Sequence, residues 1–492
     1  MRQFFENSSR VGLYLGLLLF LIMLISPAPD GLSDAAWKTA AVAALMAAWW
    51  ISEAISIYAT ALIPIILLPL LGIADIRDTT APYANPLIFL FMGGFIIAIA
   101  MQQWNLHRRV ALRIVNVVGA KPTSIIIGFI IASAFLSMWV SNTATALMML
   151  PIAISVLQFV ERNDESGTHV VTNFEVVLVL SIAYACNIGG IGTLIGTPPN
   201  AMLAGFLLEN YGVEISFANW LLIGVPLVLL FLPIMYLVLS RIVYPIKMKE
   251  LPGGREFIEN QLQKLGSISA PEKRVAIVFI CTALLWIFRQ LLEEIIPGLS
   301  DAGIAITAAI ALFLIPSGQE QGEKLLEWTH LKHLPWGILI LFGGGLSLAM
   351  AITTSGLATA IGEAVSGLGT LPIIILILTV ILLIIFLTEI TSNTATAAAF
   401  LPILAPSAIG LGQDPMLFLI PAAIAASCAF MLPVATPPNA IVYGSGKINV
   451  AQMSQAGVWL NIIASLLLTI ASYTLFAWVF GIEPGTVPVW AN

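Results

Sequence analysis

Two identical strings, Ser141-Asn142-Thr143-Ala144-Thr145-Ala146 and Ser392-Asn393-Thr394-Ala395-Thr396-Ala397, stand 251 positions apart in a chain of 492 residues. Each lies between apolar runs, so hydroxyls, an amide and free backbone N–H groups sit at membrane depth, which is tolerated where they line a cavity. A helix that begins at such a tip has first-turn N–H groups without intrahelical acceptors and a partial positive charge, a combination that favours an anion. Asn142 and Asn393 add amide donors, and Thr143 and Thr394 add hydroxyls. Two tips around one cavity could hold two anionic groups, and a small dianionic carboxylate has two.

No Lys or Arg lies within either string. A dianion held by neutral donors alone carries a large desolvation cost, so mobile cations should accompany it. Hydroxyl, amide and carbonyl oxygens are the hard ligands a small cation takes. Coupling to sodium follows as an expectation.

A second pair of strings, Thr197-Pro198-Pro199-Asn200-Ala201 and Thr436-Pro437-Pro438-Asn439-Ala440, gives each half one copy of each motif. Their prolines remove N–H donors and push the preceding residue out of helix, so each marks a broken helix. Pro and Gly kinks are common in membrane helices, and Ser, Thr and Asn often act as packing glue. Packing alone does not demand identical strings in two halves, which favours the binding reading. The offset of 251 also aligns Gly93-Gly94 with Gly344-Gly345, where close helix packing is the simpler expectation.

The elements that must position these strings follow from composition. With 59% hydrophobic and 9% charged residues and a mean hydropathy of +1.00, the chain reads as an all-α polytopic membrane protein. The net charge of −6 forms no tail and points to no nucleic acid. Cys186, Cys281 and Cys428 have no metal or disulfide spacing and read as small core residues. The histidines, His107, His169, His330 and His333, read as surface groups.

In order, residues 1–121 hold spans at about 11–25, 35–51, 56–74 and 85–118. The first is read as a retained span rather than a leader, the last as interrupted at Gly93-Gly94 with His107, Arg108, Arg109 and Arg113 along the cytoplasmic surface. Residues 122–246 form the first motif repeat, with a re-entrant hairpin at 122–160, a broken helix at 174–208 and a span at about 219–243. A polar cytoplasmic linker occupies 247–274. Residues 275–371 carry spans at about 275–292, 301–316 and 334–363. The second repeat, 372–492, has a hairpin at 372–410, a broken helix at 416–446 and a last span at about 456–480. That makes eleven transmembrane helices and two re-entrant hairpins. With the N-terminus inside, 17 of the 20 Lys and Arg fall on the cytoplasmic side, a strong positive-inside bias that puts the C-terminus outside. The hairpins then enter from opposite sides, as inverted-topology repeats of a secondary transporter do. Glu389, three residues before the second tip, is expected to orient the hairpin, with proton transfer as the alternative, and Glu53 to be interfacial.

These paired tips and breaks resemble the divalent anion sodium symporter family, which carries di- and tricarboxylates and sulfate, over nearly the whole chain. The resemblance implies an elevator-type transporter with scaffold and transport domains, a homodimer, and an inner-membrane location. It implies that substrate is held at Asn142, Thr143, Ser392, Asn393, Thr394, Thr436 and Pro437. It further implies that Na+ is held at one site by Ser137, Ser141, Asn142 and Gly196, and at the other by Thr388, Ser392, Asn393 and Ala435. Import of C4-dicarboxylates such as succinate, malate or fumarate is the leading expectation. A sodium-independent exchanger, or a sulfate or citrate carrier, is the alternative within transport. An intramembrane enzyme would need an acid–base pair or metal ligands facing one cavity, and the sequence offers none.

Overall fold

A computed structural model describes residues 2–119, 121–163, 170–246, 248, 254–319, 322–367 and 371–491. His169 and, within the polar linker, residues 247 and 249–253 lie outside them. Helices dominate, and among the described residues the only β pairing is an isolated bridge between Pro316 and Lys324. Six helices there are long and apolar enough to cross a membrane, accompanied by eight shorter apolar ones.

Each motif region is a pair of helices parted at the tip, followed by a helix that breaks and resumes. The helix Pro122–Ser137 descends to the first tip, and Asn142–Asn163 leaves it. Ile373–Thr388 and Asn393–Gly410 do the same at the second. Ser141 caps the first departing helix, its Oγ accepting from Ala144 N at 3.2 Å. The first broken helix runs Val170–Ile191 and resumes at Pro198–Tyr211; the second runs Met416–Ala425 and resumes at Pro437–Gly444. In each, Pro stands at the first helical positions, where its missing N–H costs nothing.

Several boundaries differ from expectation. The helix Pro86–Gln103 passes through Gly93-Gly94 without a break and ends at Trp104, and Leu106–Val118 follows. The break sits at Asn105, in left-handed conformation with φ 55°. Gly93 serves packing: a Cβ there would lie 2.6 Å from the Cβ of Ala305. The expected span at 334–363 is likewise two helices, Trp336–Thr354 and Leu357–Ser366, parted at Gly356 (φ 85°), the repeat mate of Asn105. The expected span at 56–74 is two short helices, Ile57–Thr60 and Ile63–Leu70, since Pro64 interrupts the donor series. The linker is not wholly irregular, for it contains the helix Gly254–Lys264. Its last residues begin the helix Ala270–Glu293 behind a capping box of Ser269 and Glu272.

Arg109 is buried, contrary to a position along the surface. Its Nε donates to Glu272 Oε1 at 2.8 Å, its Nη2 to Oε2 at 3.1 Å, and its remaining N–H groups to the carbonyls of Leu265, Gly266 and Ser267. A planar fork bonded at all three nitrogens makes a buried pair tolerable. It ties the helix before the first hairpin to the connection between halves. Cys186 and Cys428 are core residues, but Cys281 is exposed, because it lies on the outward face of an apolar helix that packs little against the rest of the protein.

Candidate functional site

Both tips and both breaks converge on one cavity of about 910 Å³. Its polar wall is Ser141, Asn142 and Thr143 from the first tip, Thr391 to Thr394 from the second, and Gly196 to Pro198 and Ala435 to Pro438 from the breaks. The rest of its lining includes a largely apolar wall formed by Ile51, Ile57, Tyr58, Phe95, Ile338 and Leu341, with Ser52 and Glu53 beside them. Ser137 and Thr388 are not cavity residues. They stand fully buried one turn behind the tips, as their spacing of four from Ser141 and Ser392 requires.

The two halves repeat one local design. Ser137 Oγ donates to Asn142 Oδ1, and Thr388 Oγ1 donates to Asn393 Oδ1 at 2.7 Å. Thr388 Oγ1 also lies 3.0 Å from the carbonyl of Ala426, in the second break. Behind the first break, Asn200 Nδ2 donates to the carbonyls of Gly190 at 3.1 Å and Thr193 at 2.8 Å. Behind the second, Asn439 Nδ2 donates to Ala429 at 3.2 Å and Leu432 at 3.1 Å. The Asn of each Thr-Pro-Pro-Asn string therefore pins the unwound backbone, which holds the remaining carbonyls in place.

The first cluster is too tight for a side chain at its glycines. A Cβ on Gly190 would meet Asn142 Oδ1 at 2.9 Å and the Gly196 carbonyl at 3.2 Å, and one on Gly196 would meet the Gly190 carbonyl at 2.5 Å. Gly196, Asn142 and Ser137 are thus brought together as oxygen donors: hydroxyl, amide and carbonyl. That set suits a small hard cation. No group of His, Cys, Asp and Glu that could hold a metal occurs among the described residues.

The halves are also stitched crosswise. Asn187 Nδ2 reaches Ala429 O at 3.2 Å, Thr436 Oγ1 at 3.2 Å and Asn439 Oδ1 at 3.3 Å, while Thr197 Oγ1 pairs with Ser427 Oγ at 3.3 Å. The helix leading into the first break thus touches the second, and the two breaks touch each other. Glu389 accepts from the backbone N–H groups of Phe430, Met431 and Leu432 at 2.7, 2.9 and 3.0 Å, and from Asn461 Nδ2 at 2.7 Å. All four are donors to a carboxylate, the geometry of an orienting group.

The model of the sodium:sulfate symporter transmembrane region matches residues 7–482. The chain belongs to the sodium:sulfate symporter family. Members of this family are transporters rather than enzymes. This symporter-family chain is 45% identical over 479 residues to the sodium-dependent dicarboxylate transporter SdcS of Staphylococcus saprophyticus subsp. saprophyticus, covering 96% of this chain and 92% of that one. It is also 45% identical over 488 residues to SdcS of Staphylococcus aureus strain MRSA252, covering 97% and 93%. Two solved structures share the fold: the YdaH transporter of Alcanivorax borkumensis, TM-score 0.55 and 13% identical, covering 97% of this chain and 98% of that one, and MtrF of Neisseria gonorrhoeae, TM-score 0.58 and 14% identical, covering 98% and 100%.

Every site residue expected from sequence lies on this cavity or directly behind it. Sequence reasoning missed Asn187, Asn461, Ser427 and the apolar wall. An Asn within the apolar stretch of a long helix was the available signal for Asn187 and Asn461. The wall residues carry no such mark. Glu53, expected to be interfacial, stands exposed at the end of the helix Asp34–Ser52 and also lines the cavity.

Proposed function

We propose that this protein is a secondary active transporter that imports C4-dicarboxylates together with sodium. The carrying observation is that two pseudo-symmetric helix N-termini, each with Asn and Thr donors and without Lys or Arg, face one cavity. Asn142 and Thr143 take one carboxylate, and Ser392, Asn393, Thr394, Thr436 and Pro437 the other. Sodium is held by Ser137, Ser141, Asn142 and Gly196 on one side and by Thr388, Ser392, Asn393 and Ala435 on the other, so the cations offset the dianion's charge. The names of the SdcS relatives support both the substrate class and the coupling ion. A cavity with one polar donor wall and one apolar wall supports an elevator, in which the body carrying the tips slides along a smooth scaffold. On this reading 1–121 and 275–371 are scaffold, 122–246 and 372–492 carry the motifs across eleven spans and two hairpins, and the protein works as a homodimer. Uptake of labelled succinate into proteoliposomes with and without a sodium gradient tests it. Uptake that ignores the gradient replaces symport by exchange.

Loss of one neutral oxygen ligand costs about 1–2 kcal/mol. Ser137→Ala and Thr388→Val should therefore raise the sodium concentration for half-maximal uptake about tenfold, and saturating sodium should restore succinate transport, because the two binding events are linked. A variant that loses succinate affinity at every sodium concentration marks its residue as a substrate or packing group.

The charge bias orients the N-terminus inside and the C-terminus outside. In a background without native cysteines, Val489→Cys should react with an impermeant maleimide added outside, and Ser267→Cys should not. Both positions are exposed. The reverse pattern would overturn the orientation.

A further inference from the structure

Among the described residues that line the cavity, Glu53 is the sole charged one, and its charge has the sign that repels the proposed substrate. It sits at the end of the helix Asp34–Ser52, beside Ile51, Ile57 and Tyr58 of the apolar wall rather than among the donor tips. Its backbone is left-handed, φ 48° and ψ 41°, one of two non-glycine residues with positive φ among the described residues. The helix end does not require the side chain, since the cap is a backbone bond from Glu53 N–H to Trp49 O. Gly or Asn would fill that position with less strain. Ser9 Oγ reaches the Glu53 carbonyl at 3.2 Å, again using backbone alone. No ion pair to the Glu53 carboxylate is formed among the described residues, and Arg10, on the neighbouring helix, makes none with it. A strained acidic residue is thus retained where neither capping nor pairing uses its carboxylate. Strain of this kind collects where a side chain acts.

We propose that Glu53 is the charge filter of the cavity: a fixed negative charge that draws the coupling cations in and weakens anions in proportion to their charge, so that dianions are favoured over trianions. The inference rests on the cation-coupled dicarboxylate reading above. Specificity here comes from a repulsive element set against attractive tips. The signature is a pair of effects with opposite sign, because removing one negative charge strengthens every anion and weakens every cation. A purely structural residue would weaken both.

The test is direct binding to purified full-length protein in detergent, with ionic strength held low and constant by choline chloride, since salt screens such interactions within about 10 Å at 0.1 M. For unit charges across a wet cavity, about threefold per unit of ligand charge is expected. Glu53→Gln should tighten succinate about tenfold at saturating sodium, tighten citrate, largely a trianion at neutral pH, about thirtyfold, and weaken sodium binding measured without substrate about threefold. Glu53→Asp, which keeps the charge and accepts left-handed backbone, should stay near the parent. Glu53→Gly, which relieves the strain, should bind like Glu53→Gln without loss of thermal stability. Succinate, citrate and sodium affinities that all fall together, or none that move, overturn the filter. A parent protein that ignores succinate sinks the dicarboxylate reading instead, and the filter then stands or falls on whether Glu53→Gln weakens sodium alone.

Discussion

Asn142→Ala and Asn393→Ala should each lower succinate uptake by about two orders of magnitude while the protein still folds. Each Asn stands at the first position of a helix leaving a tip, and its side chain serves both proposed ligands. On the proposed reading the amide N–H groups donate to a carboxylate, while the oxygen accepts from the hydroxyl one turn behind. A hydrogen bond to a charged group contributes about 1.5–3 kcal/mol, and the cation loses an oxygen as well. The two losses together reach the stated factor. Folding should survive because neither side chain fills the core. At the first tip Asn142 is half-buried and stands against Gly190. The check is uptake in proteoliposomes beside thermal unfolding of the same preparations. Variants that fold but transport succinate at a tenth of the parent rate or better would remove the tips from the site. Lactate serves as the companion probe: a monocarboxylate satisfies one tip only, and should not compete.

The sequence made the tips legible because the chemistry there is written in short contiguous strings, repeated. Six identical residues at each tip and five at each break fix where helices begin, since Pro and Ser act on the backbone locally. The cavity's other wall is written differently. Ile51, Ile57, Phe95, Ile338 and Leu341 are ordinary apolar residues in ordinary apolar helices, and only the packing of four separate helices makes them one surface. The breaks at Asn105 and Gly356 were hidden for a related reason. Each interrupts a helix with a single left-handed residue, while the conspicuous glycines at Gly93 and Gly343 to Gly345 lie in unbroken helix and serve close approach. Glycine in a membrane helix signals either a kink or a contact, and the partner, here Ala305 or Tyr83, is remote in sequence.

Arg109 shows the same limit for charge. Four basic or titratable residues on an amphipathic helix read as a solvated face, which is the usual outcome. The one that turns inward does so because Glu272 and three carbonyls, more than 150 positions away, meet all three of its nitrogens. Amphipathic pattern decides which face is wet on average, but a distant acid can reverse a single residue.

The largest effect on stability is expected at Glu389. Its two oxygens hold three consecutive backbone N–H groups in the second break and the amide of Asn461 on the last long helix. The break runs from Ala426 to Thr436 without α-helix and is longer than the first break, between Ile191 and Pro198. Without the carboxylate, Phe430, Met431 and Leu432 keep N–H groups that find no helical acceptor at membrane depth, at about 1–3 kcal/mol each. Glu389→Ala should accordingly lower stability by more than about 3 kcal/mol and abolish transport, since the carbonyls of the break lose their frame. Glu389→Gln separates the orienting role from proton transfer. Gln keeps one oxygen for Phe430 and Met431 but turns an NH2 toward Leu432 N–H, so an orienting Glu389 predicts a clear fall in the unfolding temperature with reduced, still sodium-dependent uptake. A proton carrier predicts the opposite pattern: unchanged stability, and uptake that no longer responds to an imposed pH gradient. Thermal unfolding of the two variants, with uptake measured under separate sodium and proton gradients, distinguishes them. Because all four partners of Glu389 are donors and none is an acceptor for a carboxyl proton, the geometry leads us to expect the fall in stability.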